Sequence, residues 1–240
     1  MKTSLTLLAF HEISLRKHRY TIDPALFFEF VGSLQKNPQN QILSFRDLKN
    51  QKFSPEKKLF ILTFDDNREG FLKHAYPFFE KLKIPSSQFV VKNFLERILP
   101  PPAERYSYFF TKEAIPDFSP ALVEWGYHGK SHVDARHLTD AEFQEEFIAS
   151  RNRLSEELKI PLDLFAYPGG LCSEDTHKKL LPHYDFVLLA DGKTESVENS
   201  LQKKILSRVL ITQEWLESHF KGPKNSLPAP VFGPLAPPRE

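Results

Sequence analysis

Leu59-Phe60-Ile61-Leu62-Thr63-Phe64-Asp65-Asp66 is the stretch that decides the fold. A run that is apolar at nearly every position suits a strand covered on both faces, as in a parallel sheet or barrel wrapped by helices. Carboxylates at the C-terminal end of such a strand fall where these folds build their reaction sites. Two adjacent carboxylates repel each other. They are tolerated where a cation sits near them or where one of them holds a proton. The doublet therefore asks for a metal, a general base, or both.

Outward from this run, short apolar segments alternate with helical patterns. Strands are expected at Leu5–Phe10, Gln41–Phe45, Leu59–Phe64, Gln88–Val91, Val123–Tyr127, Leu164–Tyr167, Phe186–Ala190 and Ile205–Ile211. Helices are expected at Pro24–Gln35, Gly70–Leu82, Asp140–Leu158, Ser173–Leu181 and Gln213–Phe220. Thr139 with Glu142 reads as a capping box, each side chain satisfying an orphan backbone N–H. Behind it Phe143, Phe147, Leu154 and Leu158 form an apolar stripe, interrupted by Arg151, whose stem can lie along it. Strand–helix alternation of this kind favours a parallel α/β fold, either barrel or open sheet.

A chain of 240 residues suits one α/β domain with one sizeable core. The net charge of +1 gives no bias toward nucleic acid or an anionic membrane. Cys172 is the single cysteine, which excludes an intramolecular disulfide. The N-terminal Leu5–Phe10 run lacks a small-x-small cleavage site before His11 and Glu12, and reads as a core strand rather than a signal peptide. No segment approaches the ~18 apolar residues of a membrane span. A cytoplasmic protein is the resulting expectation. The domain is expected over residues 1–220, with a proline-rich, flexible or extended tail over 221–240. Pro100-Pro101-Pro102 opens an aromatic-rich segment with Tyr106, Tyr108, Phe109, Phe110 and Phe118. It reads as a loop insertion packed by its own aromatics, or as a substrate-stacking lid.

A second chemical signal is Gly126-Tyr127-His128-Gly129-Lys130-Ser131-His132. Histidines at i and i+4 can converge from a helical turn or from a loop. This pair follows the end of an apolar run, as the aspartates do, and in a parallel barrel both ends open on one face. One aspartate and two histidines give three ligands and an open position, the plan of a catalytic zinc site. The other aspartate can then accept a proton from the attacking water. The competing reading of the doublet is a helix N-cap, since a helix follows from about Gly70. A third element, Leu164-Phe165-Ala166-Tyr167-Pro168-Gly169-Gly170, runs a strand into a turn whose backbone N–H groups could approach a ligand. By itself it reads as a tight turn.

Thr63-Phe64-Asp65-Asp66, His128-x-x-x-His132 and Phe165-Ala166-Tyr167-Pro168-Gly169-Gly170, in that order, resemble the motifs of the polysaccharide deacetylases (carbohydrate esterase family four). Ile84–Val91 is similar to the family's second barrel strand. Leu7-Leu8-Ala9-Phe10-His11-Glu12-Ile13, together with Asp23–Leu48, resembles the subgroup acting on poly-N-acetylglucosamine, in which a late Leu-x-His motif appears at the N-terminus as in a circular permutation. The resemblance implies a distorted (β/α) barrel of about seven strands. It implies a divalent metal, usually Zn²⁺, held by Asp66, His128 and His132. It implies Asp65 as general base, His11 as general acid, and an oxyanion held by the metal and the Gly169 N–H, with Tyr167 and Pro168 at the same strand end. The substrate would be an N-acetylated amino sugar or glycan, with N-formyl as a variant.

Four positions depart from the family pattern. Asn67 stands in place of a glycine and Gly129 in place of a serine or threonine. Ala166 replaces an arginine that orients the base, a charge that Arg208 could supply from another strand. Gly169 replaces an aromatic. Two other readings follow: a metal-free hydrolase of a small ring amide on the same barrel, and a glycan-binding protein with a decayed site.

Overall fold

The apolar runs become strands that close on themselves. The computed structural model describes residues 3–16, 19–98 and 109–221. Its strands are β1 (Ser4–Phe10), β2 (Glu12–Ile13), β3 (Thr21–Ile22), β4 (Asn40–Ile42), β5 (Lys58–Asp65), β6 (Ser86–Val90), β7 (Val123–Tyr127), β8 (Leu164–Ala166), β9 (Phe186–Leu189), β10 (Glu195–Ser196) and β11 (Ile205–Leu210). The order β1-β11-β9-β8-β7-β6-β5 returns to β1 through a β1–β5 ladder, giving a closed barrel of 7 parallel strands. β4 and the antiparallel β10 are added outside this ring, and β2 and β3 form a separate small pair. Leu5–Phe10 is thus a wall strand, in register with Leu59–Phe64 on one side and with Arg208–Leu210 on the other.

Strand alternation splits the apolar residues between two cores. Leu5, Leu7, Leu59, Ile61, Phe89, Leu164, Ala166, Phe186, Leu188 and Leu206 fill the barrel. Leu8, Phe10, Leu62, Phe64, Val90, Tyr127, Phe165 and Val209 face outward beneath the helices. Gly126 makes room inside: a Cβ there would lie 2.4 Å from the Phe89 ring.

The helices are α1 (Pro24–Lys36), α2 (Phe45–Lys49), α3 (Tyr76–Leu82), α4 (Lys92–Leu95), α5 (Asp140–Gln144), α6 (Ser150–Leu158), α7 (Glu174–Leu180), α8 (Val197–Lys203) and α9 (Gln213–His219). α1 starts at Pro24 because Asp23 caps it, accepting from the Ala25 and Leu26 N–H groups, and it buries Leu26, Phe27, Phe30, Val31 and Leu34. The expected capping box at Thr139 and Glu142 forms, and Arg151 reaches across to Leu162, Asp163 and His183 while lying over Tyr184.

Three expectations change. The strand expected over Gln41–Phe45 stops at Ile42, because Ser44 and Asp47 make a capping box that starts α2 at Phe45. The helices expected over Gly70–Leu82 and Asp140–Leu158 each contain a π-turn, Phe71–Ala75 and Glu145–Ala149. Phe109, Phe110 and Phe118 are buried against barrel and helix residues, including Phe94, Trp125 and Tyr76, rather than only against one another. Pro100–Pro102, Tyr106, Tyr108 and the tail from residue 222 lie outside the described residues.

One barrel end is sealed. The Glu124 carboxylate, near the start of β7, accepts from the Phe45 N–H at 2.7 Å and the Arg46 N–H at 2.9 Å, seating the α2 N-terminus across the N-terminal ends of the strands. The opposite end, where the strands finish, carries the aspartates and histidines.

Candidate active site

Asp65 is the last residue of β5 and follows the inward series Leu59, Ile61, Thr63. Simple alternation would send Asp66 outward. Instead the backbone turns left-handed, with φ of 70° at Asp66 and 41° at Asn67. A left-handed pair without glycine is strained unless its surroundings fix it. Asn67 is fully buried and supplies that fixing. Its side-chain amide donates to the Phe110 carbonyl and accepts from the Val91 N–H. Asparagine in the glycine position therefore keeps the turn and ties the ends of two strands together. Asp66 swings back over the barrel mouth beside Asp65.

Each aspartate has its own arginine. Arg208, on β11 and 1 % exposed, forks onto Asp65: Nη1 to Oδ1 at 2.7 Å and Nη2 to Oδ2 at 2.8 Å. It also donates to Thr63 Oγ1 and the Leu189 carbonyl. Arg68 donates Nη2 to Asp66 Oδ2 at 2.8 Å and lies 4.5 Å over the Phe109 ring. Burial pushes both carboxyls up, and the paired arginines and neighbouring histidines outweigh it. Asp65 is held below the usual carboxylate range and Asp66 well below it. Both are carboxylates near neutrality. The electrostatic demand of the doublet is met by one guanidinium apiece.

Arg68 leaves one oxygen of Asp66 unused. Oδ1 is buried without a hydrogen-bond partner, 3.6 Å from His128 Nε2 and 3.3 Å from His132 Nε2. The pair sits in a loop rather than on a helix. His132 has a φ of 59°, which brings its ring back toward His128. His128 Nδ1 donates to the Ala166 carbonyl at 2.7 Å, leaving the Nε2 lone pair toward the aspartate. Burial lowers the His128 pKa to about 4, so the ring is neutral and ligand-competent. Burial also works against a charged His132, but the Asp66 carboxylate outweighs it and raises that pKa. The three candidate ligand atoms lie within 4.8 Å of one another. Two imidazole nitrogens and one orphaned carboxylate oxygen are a donor set that fits a divalent cation.

His11 follows β1 and completes the group. Its Nε2 is 4.0 Å from Asp65 Oδ2, and its ring stacks on Tyr20 at 4.9 Å. Burial lowers its pKa, with Asp66 and Asp65 offsetting this only in part. The third motif lies alongside. Pro168 is buried and packs near Gly129, and Gly169 is exposed in a turn with φ of 61°. Tyr167 turns away: its side chain is fully buried next to Phe165, with its hydroxyl on His177, so only its backbone faces the strand-end turn. Arg208, expected as a stand-in for the missing arginine, spends its guanidinium on Asp65. Sequence reasoning missed Arg68. A cation two residues beyond the doublet, inside the same turn, was the available signal.

The polysaccharide deacetylase profile matches residues 52–183, more than half of the chain. No curated protein matches by sequence. Among solved structures, the fold is similar to the Streptococcus pyogenes deacetylase PplD in complex with acetate, with a TM-score of 0.73 and 21% identity over 90% of this chain and 97% of that one. It is similar to IcaB from Ammonifex degensii, with a TM-score of 0.74 and 22% identity over 90% and 98%. A de-N-acetylase from Aggregatibacter actinomycetemcomitans gives 0.70 and 17% over 88% and 96%. His11 and Arg208 lie outside the matched residues, just after β1 and on its neighbour β11, which with β9 complete the barrel. The matched residues carry Asp65, Asp66, His128, His132 and the Phe165–Gly170 strand end in order, and the chain belongs to the polysaccharide deacetylase family, amidases acting on carbon–nitrogen bonds other than peptide bonds.

Proposed function

We propose that the protein is a divalent-metal-dependent hydrolase that removes an N-acetyl group from an amino sugar or glycan; an N-formyl group would be cleaved by the same chemistry. The observation that carries this reading is the division within the doublet: Asp65 is forked by Arg208, while Asp66 offers a free oxygen to His128 and His132. Asp66, His128 and His132 would hold the metal, most plainly Zn²⁺ given two imidazoles and one carboxylate. When bound, the metal supplies Lewis acidity toward the acetamide carbonyl and toward water.

The chain's own groups do the rest. Asp65 takes a proton from the attacking water as the C–O bond forms at the carbonyl carbon. Arg208 keeps Asp65 ionised and fixes the direction of its oxygens. His11, 4.0 Å from the same carboxylate, is placed to give a proton to the amine nitrogen as the C–N bond breaks. The products are acetate and a free amino sugar. The Gly169 backbone N–H is the candidate donor to the oxyanion, on the strand end next to His128.

Acetate release from a panel of N-acetylated sugars and oligosaccharides, with and without chelator, tests this reading. The expected result is turnover of at least one amino sugar, lost on chelation and restored by Zn²⁺. Turnover indifferent to chelator would favour a metal-free amide hydrolase. Binding without turnover across the panel would favour a glycan-binding protein.

A further inference from the structure

We infer that Glu146 is a positioning residue for the two histidines, acting through the loop between them. The inference rests on the metal-site reading above. Gly129 stands where the family has a serine or threonine, so the loop lacks that side-chain tether. The structure supplies another from the far side. Glu146 lies in the π-turn Glu145–Ala149 and is 7 % exposed. Its carboxylate accepts from the Ser131 N–H at 2.6 Å and from Ser131 Oγ at 2.8 Å. Its backbone carbonyl accepts from the Lys130 N–H at 3.1 Å.

The loop is clamped from both sides. Across from Glu146, the Gly129 and Lys130 carbonyls accept from the Lys92 and Asn93 N–H groups at the start of α4. The backbone between the two histidines is therefore held by four hydrogen bonds of known partners, two of them to Glu146. Gly129 fits this arrangement rather than merely lacking a hydroxyl. Its φ is 88°, and a Cβ would come 3.0 Å from Glu146 Oε1 and 3.2 Å from the Phe147 ring. The space for a side chain at 129 is taken by the carboxylate that replaces its function. The π-turn places Glu146, Phe147 and Ile148 consecutively in buried positions, which lets one carboxylate enter a core of aromatic residues and reach the loop.

Groups that orient metal ligands without touching the metal typically contribute about 10–100-fold to metal affinity. The test is the Zn²⁺ dissociation constant of the metal-free protein, read by competition with a chromophoric chelator, alongside its thermal midpoint in EDTA. Glu146→Ala is expected to weaken Zn²⁺ binding by about 10–100-fold. Glu146→Gln, which can still accept from the Ser131 N–H and pair with its hydroxyl, is expected to stay within about threefold of the parent, because the proposed role is hydrogen bonding rather than charge. Glu145→Ala, on the same turn but paired with Lys130 and Arg153 at the surface, is expected to leave the affinity unchanged. Should Glu146→Ala fail to fold, Glu146→Asp withdraws the carboxylate by one methylene and is expected to weaken binding in the same direction. Unchanged Zn²⁺ affinity in a folded Glu146→Ala or Glu146→Asp variant would overturn the inference, as would Glu146→Gln weakening binding as much as Glu146→Ala. A parent protein that binds no Zn²⁺ would overturn the metal-site reading itself and this inference with it.

Discussion

Asp65 and Asp66 are neighbours in sequence with opposite assignments, and the two arginines explain how. Arg208 uses both Asp65 oxygens, whereas Arg68 uses only one oxygen of Asp66. The Asp65–Arg208 pair is buried, so removing one partner leaves an uncompensated charge. Arg208→Met should destabilise the fold by about 3–5 kcal/mol in urea unfolding, and Asp65→Asn in the same chain should recover part of that loss. Simple additivity of the two changes would contradict the pairing. A half-buried carboxylate, Glu12, behaves differently: burial raises its pKa from 4.5 to about 7, with Arg68 and Arg16 offsetting it only partly. A raised folded pKa means that folding favours the protonated acid. Its contribution is fully present below the unfolded value of 4.5 and is lost as pH rises toward about 7. Glu12→Gln should therefore match the parent near pH 4 and be the more stable of the two at pH 8, measured in EDTA. Equal stabilities at pH 8 would contradict this. The doublet and the histidine pair were legible as chemistry, because residue type and position carry them, whereas the strand-end turn gained a chemical role only through the family resemblance. The Asp66–Arg68 pair was not legible, and Arg208 entered only as a stand-in for the base-orienting arginine that the family resemblance implies. Asp65 and Arg208 are 143 positions apart, and nothing local marks them as partners.

At the level of elements, all eight expected strands form, because each is an apolar run bounded by polar or turn residues. The five expected helices form as well, with π-turns inserted in two of them. What escaped were the two-residue strands β2, β3 and β10 and the helices α2, α4 and α8, which span at most two turns and are fixed by tertiary contacts and, in α2 and α8, by side-chain caps rather than by periodicity. The helix start that overrode the end of the β4 expectation was written in Ser44 and Asp47, a capping signature overlooked beside a β-like apolar run. Packing between strands gives a separate prediction. Gly126→Ala drives a methyl into the Phe89 ring inside the barrel. Overpacking of this kind should cost about 1–3 kcal/mol, and Phe89→Leu in the same chain should relieve part of it. A neutral Gly126→Ala would show that the barrel interior yields more easily than its burial implies.

For the whole molecule, the choice between barrel and open sheet was left undecided by strand–helix alternation and was made only by the family resemblance. The reason is physical: closure depends on β1 pairing with both β5 and β11, and the second of these joins the two ends of the described chain. That closure also assembles the site. It brings His11, just after β1, and Arg208 from β11 against an aspartate on β5, so the groups assigned to acid and base orientation come from outside the profile match. The two aspartates are proposed to have separate jobs, Asp66 holding metal and Asp65 moving a proton. The most direct test is the metal content and turnover of Asp65→Asn, prepared beside the parent and saturated with Zn²⁺. The expected result is about one Zn²⁺ per chain, as in the parent, with turnover reduced by at least ~100-fold, within the range set for loss of a general base. Loss of the metal together with turnover, or full turnover in Asp65→Asn, would contradict it.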